Sequence, residues 1–299
     1  MELSWINKVR IGAVAALGIV LIGVLAWPLA APEDPLAPVR SMQFSGSGTL
    51  VLLALALATG FIGYFLAWPH GREIGILGVP FGLLVWILRS GSMQTLTQAN
   101  TTAAGRQALM ESLRFESVYW LLIVAAGFLG VLLAQRIRSG SGVPVTIDSI
   151  KSFLRPNIAI MAAASLVVTT VLTHFFLGVF AQDLAAASHK AATQPAIGQV
   201  FFGGIAAFAV AGFAIKRFLD LSYVWPTIAT ILVIPFSIAT YGRADTIQKF
   251  AETKPATLFP HAVFAIVPLQ LVALGTIGAV IGYWLAVRYD YWRKHETGS

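Results

Sequence analysis

His174 is the one titratable side chain that falls well inside an apolar run of this sequence, and Thr169, Thr170 and Thr173 precede it. An ionisable group in hydrocarbon is costly, so function is the first question to ask of it. It could relay a proton, touch a ligand or supply half of a metal site near the outer leaflet. It could equally be a neutral imidazole bonded to a neighbouring helix within a turn of the interface. One histidine without a visible partner favours the plainer role. His189 and His261 fall on the same side as His174, with Asp183 close in sequence. Together they offer imidazole and carboxylate donors to a divalent metal. No two of them share one helical face by spacing, however, and solvated loop histidines explain them as well.

Two further polar residues invite chemistry. Glu73 opens the third apolar run beside His70 and Arg72, where a carboxylate complements the positive end of a helix dipole. A substrate gate is its functional alternative. Gln270, two residues after Pro268 in the last run, either lines a pore or bonds across helices, and the second use is the expected one. The sequence holds no P-loop, no G-x-S-x-G elbow, no HExxH helix, no paired haem histidines and no paired intramembrane acids. It has no cysteine, which excludes disulfides and thiolate chemistry. No catalytic residue and no cofactor is therefore assigned.

The elements that carry these residues are set by solvent. Only 11% of the 299 residues are charged and 57% are hydrophobic, with a mean hydropathy of +0.79. A soluble domain averages about 25% charged residues, so this chain cannot cover a water-facing surface. A helix needs about 20 apolar residues to cross hydrocarbon. Eight runs qualify, at about 11–30, 48–68, 73–89, 117–135, 157–181, 198–215, 222–241 and 261–286. Pro69, His70 and Gly71 separate the second from the third. The first run is longer than the roughly 7–15 residues of a signal-peptide core and reads as an uncleaved anchor. The expected fold is an all-α integral membrane protein, a single domain over residues 1–299.

Of the 20 basic residues, 12 fall in the segments shared with the N-terminus and 8 in the longer opposite loops. The positive-inside rule then places both termini in the cytoplasm of a bacterial cell, with the chain in the inner membrane. Tryptophan and tyrosine at the span ends, from Trp27 to Trp284, mark the headgroup level. The net charge of +7 sits in short juxtamembrane clusters, which suit anionic lipid and not nucleic acid. Of the loops, the part from Ala103 to Phe115 has the pattern of a short amphipathic helix, and none is long enough for a separate domain.

Small residues recur at helical spacing. Gly278 and Gly282 form GxxxG, Ala126, Gly130 and Ala134 repeat at four, and so do Gly203, Ala207 and Ala211. Such faces let helix backbones approach closely and predict tight packing or association with other membrane subunits or a second copy. The halves share Trp68-Pro69 with Trp225-Pro226, and Val79-Pro80-Phe81 with Ile234-Pro235-Phe236. An offset of about 155 residues would make a parallel 4+4 repeat. These matches alone do not separate duplication from coincidence. The function expected first is a non-catalytic membrane subunit, permease-like or scaffolding. A stand-alone transporter or channel comes second, and an outer-face, His-dependent metal-binding protein or enzyme third.

Overall fold

The computed structural model describes residues 5–139, 156–181, 195–253 and 261–296. Within them, eight helices are long and apolar enough to cross a membrane, and no strand occurs. Hydrocarbon offers the backbone no partner, so helices that satisfy their own N–H and C=O groups are the expected solution. The spans are α1 (Trp5–Leu25), α2 (Gly46–Leu66), α3 (Gly71–Arg89), then the amphipathic α4 (Ala103–Leu113) and α5 (Glu116–Ser139). They continue with α6 (Pro156–Phe180), α7 (Ile197–Leu219), α8 (Val224–Tyr241), the short α9 (Ala244–Thr253) and α10 (Pro268–Glu296).

Three spans differ in detail from their expected form. α1 is π-helical from Ile19 to Leu25. That segment starts beside Gly18, where α1 and α3 nearly touch: a Cβ at Gly18 would meet the Gly78 carbonyl, and one at Gly82 would meet the Gly18 backbone. α3 passes through a 3₁₀ stretch at Gly75–Leu77 and is regular only from Gly78. Pro80 thereby falls in the first turn of the regular helix, where a missing N–H costs little. The last span begins at Pro268 and not at 261, after a 3₁₀ turn at Ala262–Ala265. The same first-turn preference of proline sets that boundary.

α3 and α10 form the centre. Of the most apolar stretch in each span, 72% is buried in α10 and 67% in α3, against 22% in α1. Ile76 and Leu77 of α3 cluster with Ile277, Ala279 and Val280 of α10 and with Tyr223. The Tyr223 hydroxyl donates to the Arg72 carbonyl at 3.2 Å, tying the α7–α8 turn to α3.

The most extensive contacts pair α2 with α5 and α7 with α10. Both pairs meet on glycines. A Cβ at Gly60 would strike the Gly127 carbonyl, and one at Gly130 the Leu57 carbonyl. In the second pair, Gly212 lies against Ala279, Gly282 against Ala209, and Gly278 against Ile205. With no hydrophobic drive between helices in lipid, this close backbone approach is what assembles them.

Candidate functional site

The polar groups inside the spans mostly turn back on their own helices. Thr169, Thr170 and Thr173 donate to the carbonyls of Ser165, Leu166 and Thr169 at 2.8, 2.9 and 2.7 Å. Thr276 and Thr227 do the same with Val272 and Tyr223. Gln270 accepts the Val267 N–H at 3.0 Å and so closes the first turn of α10. It serves there as a helix-start partner for the backbone.

His174 is different. It sits on the face of α6 turned to α8, with 9% of its surface exposed. The Ser237 hydroxyl donates to the Val233 carbonyl at 2.6 Å and stands 3.1 Å from His174 Nε2. With that proton committed, Nε2–H is the donor to Ser237, which leaves the lone pair on Nδ1. Nδ1 is buried and has no hydrogen-bond partner.

His261 stands next to it, in the segment before α10. The ring centroids are 5.9 Å apart. Its Nδ1 accepts the Val263 N–H at 3.2 Å, so the neutral ring carries its proton on Nε2. Tyr241 stacks on His261 with centroids 4.4 Å apart and planes 8° from parallel, and the Phe236 ring meets His174 edge-on at 4.9 Å. Gly178, one turn after His174, makes room, since a Cβ there would already lie 3.6 Å from His261 Nε2.

An acceptor nitrogen and a donor nitrogen thus stand on neighbouring rings at one end of α6 and α8. That pair suits a small molecule or water able to accept from one ring and donate to the other. A cation held by both rings would need His261 to give up its Nε2 proton or turn over. Among the described residues no group of three metal-ligating side chains forms. His189 and Asp183 lie outside the described residues.

Burial holds the His261 imidazole below its ordinary pKa. A histidine with a depressed folded value binds its proton more readily in the unfolded chain, so stability is lost as pH falls below about 6.5. Detergent-solubilised protein is expected to melt at a lower temperature at pH 5 than at pH 7.5. His261→Gln should shrink that difference, and an unchanged pH response in the variant would exclude His261 as its source.

The remaining expected residues are scattered. Glu73 lines a cavity at the opposite end of the bundle with Asn7, His70 and Arg288. Ala126 and Ala207 are buried, and a Cβ at Gly203 would lie 3.3 Å from the Leu177 and Phe180 side chains of α6. Sequence reading passed over Ser237 and Gly178 and took Tyr241 only as a ring at the headgroup level. Ser237 directly follows the Pro235-Phe236 pair and Gly178 follows His174 by one turn, so spacing alone could have placed the latter.

No family model, curated protein or solved structure matches this chain. Function therefore rests on the residues themselves.

Proposed function

We propose that this polytopic membrane protein is a non-catalytic subunit, permease-like or scaffolding, built from two parallel four-span halves. The observation that carries the reading is how the small residues pair: four helices meet through glycine and alanine, while the span threonines and Gln270 bond to nearby backbone. A core of that kind serves assembly.

The repeat has independent support. Residues 57, 60, 127 and 130 of the first half correspond at one constant offset to 209, 212, 279 and 282 of the second, and make the same backbone contacts. Gly130, Leu133, Ala134 and Arg136 then fall on Gly282, Leu285, Ala286 and Arg288. Between α3 and α8 the register is three residues longer, and aligning Pro80-Phe81 with Pro235-Phe236 puts Gly82 on Ser237 and Trp86 on Tyr241. Gly82 faces Ile22 of α1, just as Ser237 faces His174 of α6. The polar cluster of the second half is thus apolar in the first.

A second reading, an outer-face binding protein working through His174 and His261, is favoured by one observation, the buried Nδ1 of His174 without a partner.

Mild detergent extraction followed by native mass measurement tests the first reading. A complex of defined composition is expected, and a lone monomer in every extract would overturn it. The proposed orientation, both termini cytoplasmic in a bacterial inner membrane, is open to cysteine mapping because the chain has no cysteine of its own. Met42→Cys, at a position 72% exposed, should react with an impermeant maleimide on whole cells, and Ser139→Cys should not. The reverse pattern would invert the topology.

A further inference from the structure

At the end of the bundle opposite His174, α1, the start of α3 and the last turns of α10 enclose a cavity of about 290 Å³. Ile11, Ile281 and Trp284 give it apolar walls, and Glu73, His70, Asn7 and Arg288 supply its polar groups. Arg288 Nε is buried without a hydrogen-bond partner, and its guanidinium lies 4.4 Å over the Trp292 ring. Among the described residues neither Arg288 nor Glu73 enters an ion pair. Asn7 is itself held by Arg10, which donates to its side-chain oxygen at 2.9 Å.

The surroundings set the depth. Trp5, Tyr291 and Trp292 are 76%, 52% and 52% exposed at this end, and amphipathic rings so placed belong at the headgroup level. Apolar walls at that depth suit an acyl chain. One unpaired cation and one unpaired anion on the same cavity suit a headgroup carrying both charges. A phosphate is the partner for Arg288, in charge-assisted hydrogen bonds. A primary ammonium has three N–H donors for the Glu73 carboxylate, whereas a quaternary choline has none.

We propose that this cavity seats one zwitterionic aminophospholipid, its phosphate on Arg288, its ammonium on Glu73 and an acyl chain against Ile11, Ile281 and Trp284. The site lies apart from the imidazole cluster and does not depend on the subunit reading.

Full-length protein in mild detergent, titrated with phosphatidylethanolamine, phosphatidylcholine or phosphatidylglycerol of one acyl composition, provides the test by native mass spectrometry. Phosphatidylethanolamine should be retained about tenfold better than the other two, as the one charge-assisted contact that separates it from them, ammonium to Glu73, allows. Glu73→Gln should remove its advantage over phosphatidylglycerol, and Arg288→Gln should release both. Val287→Trp, which fills the cavity from a partly exposed position and leaves the charges in place, should release all three. Equal retention of the three lipids would overturn the proposal. So would a phosphatidylethanolamine preference that survives Glu73→Gln or Val287→Trp, and those two variants decide the matter if Arg288→Gln fails to fold.

Discussion

Gly282→Leu is expected to cost at least about 3 kcal/mol and to separate α10 from α7. Overpacking a core usually costs about 1–3 kcal/mol because side chains can move aside. Here the obstacle is backbone: the first side-chain carbon would meet the carbonyl of Ala209 and the N–H of Phe213. Helices in lipid have no hydrophobic drive to hold them together at a greater distance, so the loss is not recovered elsewhere. Gly130→Leu should do equal damage to the α2–α5 pair, where the same carbon would meet the Leu57 carbonyl and the Phe61 N–H. Gly12→Leu should be silent, because nothing lies within 4 Å of that position. Thermal aggregation of the detergent-solubilised variants measures all three. Gly282→Leu and Gly130→Leu melting with Gly12→Leu would refute the packing account, and damage at one of the two without the other would count against the proposed repeat.

The eight spans were legible because lipid imposes one requirement, about twenty apolar residues in a row, and the sequence meets it eight times. Ala103 to Phe115 was legible as a helix for a similar reason, its pattern. Partnership was not. Gly278 and Gly282 announce a close-packing face, yet nothing local says that Ile205 and Ala209 lie under it. Gly60, Gly127 and Gly212 passed without notice, since isolated glycines are common in membrane helices. The same limit hid the imidazole pair: His174 and His261 are far apart in sequence, and their meeting depends on how α6, α8 and the turn before α10 converge. Ser237, the residue that decides which nitrogen of His174 carries the proton, reads in isolation as an ordinary helix serine. The π segment of α1 has no compositional mark, and the α3 residues that crowd it at Gly18 and Gly23, Gly78 and Val85, are distant in sequence.

Arg40→Met is expected to be the most damaging change outside the spans, at about 3–5 kcal/mol. Glu116 opens α5 with 1% of its side chain exposed, and Arg40 Nε meets one carboxylate oxygen at 3.1 Å. The Ser41 N–H donates to the other oxygen at 2.9 Å, and Arg40 Nη2 donates to Ser112 at 3.1 Å. One arginine therefore pins the loop after α1 to the ends of α4 and α5, and the Gly91 N–H joins the same loop through the Ala37 carbonyl at 3.0 Å. Removing the guanidinium leaves a buried carboxylate that keeps its Ser41 bond but has lost its charge partner, and such an uncompensated ion is costlier than no ion at all. The double variant Arg40→Met with Glu116→Met should accordingly melt above Arg40→Met alone, even though it lacks one more native side chain. If the two changes simply add, the carboxylate is not the source of the loss, and the loop is held by the packing of Val39 and Phe44 on α3 and α5 instead.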